Sequence, residues 1–68
     1  MTREKVKSVL LVGIGKRLRL TFSDDVIQSV DIASVDDEGF LHSGPNGIEP
    51  AMYWTRFESV KEIDPLDG

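Results

Sequence analysis

Sixty-eight residues with no cysteine bound this chain to one small domain, near the lower size limit for folding alone and without disulfide or thiolate-metal staples. The net charge of −4 weighs against nucleic acid as the main partner. No apolar run approaches the roughly 18 residues of a membrane span and no signal-peptide pattern opens the chain, so a cytoplasmic protein is expected.

Charge is unevenly spread. Residues 1–20 hold Arg3, Lys5, Lys7, Lys16, Arg17 and Arg19 against Glu4, a net of +5, whereas residues 21–68 hold Arg56 and Lys61 against eleven acids, a net of −9. Such asymmetry can mark a nucleic-acid face, or a basic first segment packed beside an acidic sheet.

Thr2 is placed to cap a helix, and Val6, Val9, Leu10, Gly13 and Ile14 fall on one helical face. Lys5 and Lys7 are expected to point to water, and Gly13 or Gly15 to provide a left-handed stop. The run Val9-Leu10-Leu11-Val12 also fits a buried strand; the charged approach and the glycine ending favour a helix over about 3–13. Lys16 to Ser23 alternates, with Leu18, Leu20 and Phe22 on one face and Arg17, Arg19 and Thr21 on the other, which reads as a strand. Asp24-Asp25 turns the chain into Val26, from where Val30 and Ile32 alternate with Asp31 and Ala33.

Val35 comes three residues after Ile32, so the apolar phase slips, and a slip in a strand predicts a bulge. Asp36-Asp37-Glu38-Gly39 is a turn, its acids bonding their own backbone and Gly39 free to take positive φ. Phe40 to Ser43 returns as a strand, broken by Gly44-Pro45-Asn46-Gly47. A fourth strand is expected within Ile48–Trp54, with Pro50 placing its early part at an edge or bulge. Thr55 to Glu58 reads as a single helical turn, Val60 and Ile63 as a brief last strand, and Leu66-Asp67-Gly68 as a frayed end.

The predicted fold is therefore mainly β: one domain over residues 1–68, a short N-terminal helix followed by a small SH3-like five-stranded bent barrel over about 16–64. The sheet is expected to close on an interior of Leu18, Leu20, Phe22, Val30, Ile32, Val35 and Phe40.

No residue pattern specifies a reaction. Gly13-Ile14-Gly15-Lys16 lacks the third glycine of a dinucleotide fingerprint (position 18 is Leu18) and the Ser or Thr after the lysine of a Walker loop (position 17 is Arg17). His42 is the only histidine, expected at the surface or half-buried, with no serine or carboxylate at a diagnostic spacing. Asp24-Asp25 and Asp36-Asp37-Glu38 are oxygen clusters of the kind that hold hard cations, but turn chemistry accounts for them. No catalytic, cofactor or metal residue is expected, and the chain is read as a non-enzyme.

The densest aromatic group is Met52-Tyr53-Trp54 with Arg56 and Phe57, residue types that dominate interfaces and stack on bases. Trp54 or Phe57 can equally cap the core of so small a domain, and both roles coexist if Trp54 points in and Tyr53 out. Arg17 and Arg19, on the outer face of the first strand, can meet phosphates with Lys16 or pair with a neighbouring strand, where Asp31 is the candidate. Tyr53, Trp54, Arg56, Arg17 and Arg19 are thus the candidate binding residues.

The element order, leading helix included, resembles the Sm-like family, most closely its bacterial Hfq branch, from the helix to Pro65. Ile32-Ala33-Ser34-Val35-Asp36 is similar to the family's strand that ends in an aspartate, and Tyr53 to Val60 falls where the family has its second motif and final strand. The chain departs from the family at Val30, where the pattern has glycine, at Asp37-Glu38, where a base-contacting amide is missing, and at Trp54-Thr55, in place of a Lys-His or Arg-Gly pair. The resemblance therefore implies the fold more than it implies RNA binding. Two functions follow as expectations: a non-enzymatic assembly or protein-interaction module that self-associates through strand edges, and an Sm-like RNA-binding protein using the basic N-terminal face.

Overall fold

The computed structural model describes residues 2–44 and 52–65. A helix, α1 (Arg3–Val12), precedes β1 (Arg17–Phe22), β2 (Ile27–Val35), β3 (Gly39–Ser43), β4 (Met52–Arg56), a 3₁₀ turn (Phe57–Ser59) and β5 (Val60–Pro65). All neighbouring strands are antiparallel, in the order β4-β3-β2-β1-β5. The expected loop after Gly44, the early part of the fourth strand around Pro50, and the chain end at Leu66-Asp67-Gly68 lie outside the described residues.

Helix α1 begins where Thr2 accepts a hydrogen bond from the Lys5 amide at 3.2 Å, satisfying one of the free donors of the first turn. It buries Val6 and Leu10 completely, with Val9 half-buried. Gly13 caps its end with ordinary backbone, and the left-handed residue is Gly15, at φ 83°. Here Gly15 donates to the Ile32 carbonyl and the Ile32 amide donates to Lys16, so the loop after the helix is stitched to the middle of β2. Lys7 does not run free into water as expected. It is half-buried and reaches Asp37 at 2.9 Å, while Arg3 meets the Asp37 carbonyl, Glu38 and Glu58. The basic helix is thus tied to the acidic β2–β3 turn. These pairs are partly exposed, so each contributes about 0–1 kcal/mol.

Strands β1 and β2 pair Leu18 with Val30 and Leu20 with Gln28 on the inner face, and Arg17 with Asp31 on the outer. The slip of apolar phase in β2 is a register shift between Ile32 and Ser34: Ile32 opposes His42, yet Val35 opposes Phe40. The extra residue restores the core-facing phase on both sides of the bend. The core comprises Val6, Leu10, Leu18, Leu20, Val30, Ile32, Phe40, Phe57 and Val60, with Phe22, Val35 and Ile63 packed partly buried against it.

The expected closure of the sheet does not occur. Among the described residues no ladder joins β4 to β5, and these two strands remain as free edges of a bent, open sheet. Helix α1 and the 3₁₀ turn supply the missing cover, contributing Val6, Leu10 and Phe57 to the core.

Gly39 does not take the positive φ expected of it. Its requirement is space. A Cβ there would collide with the Thr55 carbonyl oxygen and would lie 2.7 Å from the Trp54 indole, which rests on this glycine. Gly39→Ala is therefore expected to lower stability by about 1–3 kcal/mol in urea unfolding, the usual range for an overpacked site. An unchanged midpoint would show that β4 retreats without cost.

Candidate functional site

Facing residues of an antiparallel pair project from the same side of the sheet. β4 opposes Tyr53 to His42 and Thr55 to Phe40, so Tyr53 and Thr55 share the concave side with the core. Trp54 opposes Leu41 and lies on the convex side. This inverts the alternation expected from the sequence. Trp54 is exposed and donates its indole N–H to Asp36 at 2.8 Å over Gly39, so the residue that fills the core is Phe57.

Asp36 is the anchor of that convex corner. Its Oδ1 accepts from the Glu38 and Gly39 amides, both at 2.7 Å, while Oδ2 takes the Trp54 N–H. Those three bonds, the one from Trp54 foremost, hold its carboxyl below the ordinary aspartate value. Asp37 is engaged by Lys7. The acidic turn is therefore committed to structure, and among the described residues no group of three His, Asp or Glu side chains is placed to hold a metal ion.

On the concave side the gap left between β4 and the β1–β2 hairpin is an open groove of about 570 Å³. Tyr53, Trp54 and Thr55 of β4 form one wall. Phe22, Ser23, Asp24, Val26 and Gln28 form the other, His42 lies between the walls, and Ser59 adds a hydroxyl. Asp24 accepts from the Val26 amide at 3.2 Å and Asp25 adopts φ 67°, which turns the hairpin tightly and sets the Asp24 carboxylate at the groove.

His42 is 4% exposed, more deeply buried than the surface or half-buried position expected. The Ser43 carbonyl, 2.8 Å from Nδ1, can only accept, so Nδ1 carries the proton and Nε2 accepts from the Thr55 hydroxyl at 2.7 Å. Its ring packs 5.0 Å from Phe40 and 6.3 Å from Tyr53, centroid to centroid. Burial pushes its pKa below the usual value, partly offset by the bond to Ser43, and the imidazole is neutral at pH 7. With both nitrogens satisfied inside the protein, it is not poised as a base.

The five candidate residues fall into separate groups. Arg17 pairs with Asp31 on the outer face, at 3.1 Å, as the register demands. Arg19 lies on the same exposed face opposite Ser29 and Asp64. Tyr53 lines the groove, whereas Trp54 sits on the convex face and Arg56 opposes Gly39 at the end of β4. The structure brings Tyr53 together with residues sequence reasoning did not select: Phe22, Asp24, Val26 and His42. Alternation along β1 already put Phe22 on the inner side. The pairing of Tyr53 with His42 needed the β3–β4 register, which no short turn dictates.

A second recess, of about 400 Å³, lies between α1 and β1, lined by Ser8, Val9, Val12, Gly13, Lys16 and Leu18. No helix among the described residues is long and apolar enough to cross a membrane. Comparison with protein-family models, curated proteins and solved structures finds no match for this chain.

Neutral, buried His42 makes stability depend on pH with a definite sign. Its folded pKa is below the unfolded value near 6.5, so the unfolded chain takes the proton first as pH falls. The contribution is complete above about pH 6.5 and is lost as pH falls from there through the folded value. Urea midpoints are expected to decline as pH falls below about 6.5, and His42→Gln to remove most of that decline. Asp25 and Asp36, whose values are lowered by Lys61 and by Trp54 respectively, act only further down, in the carboxylate range. An equal slope in the variant would assign the effect elsewhere.

Proposed function

We propose that this chain is a non-enzymatic small β module that works by assembly or protein interaction, self-associating through its strand edges. The observation that carries this reading is the open sheet, in which, among the described residues, β4 and β5 each pair on one side only. A row of unpaired N–H and C=O groups is a template for another strand. Exposed large apolar side chains add to it: Met52, Tyr53 and Trp54 on β4, and Leu11, Val12 and Ile14 at the end of the helix. In so small a domain, burying such surface against a second copy adds stability that the core alone supplies sparingly.

The non-enzymatic reading is supported by His42, the single histidine, whose nitrogens are taken by Ser43 and Thr55. A cytoplasmic location and the likeness to the Sm-like family belong to the same proposal. The observed order of helix, four strands, 3₁₀ turn and final strand supports that likeness. RNA binding by the N-terminal face is the weaker reading, because Arg3, Lys7 and Arg17 already hold acids of the same chain.

Sedimentation velocity from about 10 to about 500 µM is expected to show a mass that rises above the 7.6 kDa monomer. A stable monomer throughout would overturn self-association. Steeply salt-dependent binding of a labelled RNA oligonucleotide by that monomer would transfer the case to the RNA reading.

A further inference from the structure

The geometry points to the concave groove beside β4 as the binding site for a basic, extended segment of another protein, whose arginine or lysine side chain lies along Tyr53 and ends at Asp24. The inference rests on the reading of the chain as an interaction module and names the chemistry of its partner.

Three features of the groove converge on an organic cation. Its walls are aromatic and apolar, with Phe22 and Tyr53 across from one another and His42 between, and an aromatic face attracts a cation while its body accepts the aliphatic stem. Its one carboxylate, Asp24, forms no ion pair among the described residues, and its hydrogen bond to the Val26 amide holds it in place. Among the described residues no lysine or arginine lines it, and His42 is neutral, so the site has an anion without its counter-charge.

The occupant is a peptide segment, not a free amine, because the groove runs along the free edge of β4. A strand added there satisfies the open backbone groups and delivers alternate side chains to the concave side. A second copy is the poorer occupant. The cation that its own edge strand β5 offers, Lys61, is held by Asp25 of the same chain at 2.8 Å. Among lining residues, Thr55 gives its hydroxyl proton to His42, which leaves the hydroxyls of Ser23 and Ser59 as the polar rim for a guanidinium.

The test is a titration of the full chain, followed by backbone amide NMR, with a short blocked peptide bearing arginine between two valines. Matched peptides carry citrulline or glutamate at the centre. Expected are shifts concentrated at residues 22–28, His42 and residues 53–55 with the arginine peptide, and binding about tenfold weaker with citrulline. Asp24→Asn keeps the turn bond and is expected to weaken binding by a similar factor; Tyr53→Leu keeps an apolar wall and is expected to lose about fivefold. Shifts that are absent at millimolar peptide, equal for the citrulline or glutamate peptide, or centred on Arg17 and Asp31 would overturn the inference. Sedimentation of the peptide-free protein separates the two readings. A self-associating chain that ignores the arginine peptide refutes the groove alone, and a monomer that binds it refutes self-association alone.

Discussion

The fold depends on one irregularity, the extra residue in β2 between Ile32 and Ser34. A regular strand of nine residues has a single core-facing phase, and Val35 would be out of step with Val30 and Ile32. The bulge resets the phase, so Ile32 faces the core opposite His42 and Val35 does so opposite Phe40. It also bends the sheet, as bulges do. The β1–β2–β5 part and the β3–β4 part can then face one common interior. A flat sheet of the same strands would leave Phe40 and Phe57 with no shared core to enter.

Bending without closing creates the two problems that the remaining residues resolve. One is the uncovered end of the interior. Helix α1 lies over it with Val6 and Leu10, and its basic side chains hold the acidic β2–β3 turn, which neutralises locally the charge asymmetry of the chain. The other is the seam beside β4. There a buried imidazole sits between the aromatic rings, and both of its nitrogens are bonded because an unpaired polar atom at that depth costs about 1–3 kcal/mol. No buried side-chain nitrogen or oxygen among the described residues is left without a partner.

Much of this architecture was legible in the sequence where the signal is local. Thr2, the alternation of Leu18 and Leu20, the phase slip before Val35 and the acidic turn at Asp36 each carry their own short-range cause, and the corresponding elements formed. What was illegible depends on register across a long connection. β3 ends at Ser43 and β4 begins at Met52, and a sequence separation of that length specifies no unique pairing. The arrangement that would let this aromatic group serve core and surface together, Trp54 inward and Tyr53 outward, is the reverse of what β3 imposes. The same gap hid the burial of His42, since alternation from Phe40 points it inward but the cover from Thr55 and Tyr53 depends on the β3–β4 register. Gly39 illustrates a different blindness. Its turn position suggested backbone conformation, yet the constraint is an indole packed on it from a strand fifteen residues away.

The placement of Tyr53 and Trp54 also decides what kind of surface β4 presents. With Trp54 turned to Asp36 on the convex side, the indole is a strut between a turn and an edge strand, with 45% of its surface still exposed. With Tyr53 turned to the concave side, the aromatic ring stands at a groove whose one charged residue, among those described, is Asp24. An edge strand that keeps its backbone free, one wall of the groove and a carboxylate across from it are then a single continuous surface. A strand laid on β4 projects every second side chain to the concave side, the side on which Asp24 lines the groove. Strand addition and charge selection at this site are therefore coupled by geometry, which gives an otherwise indiscriminate edge a means of choosing its partner.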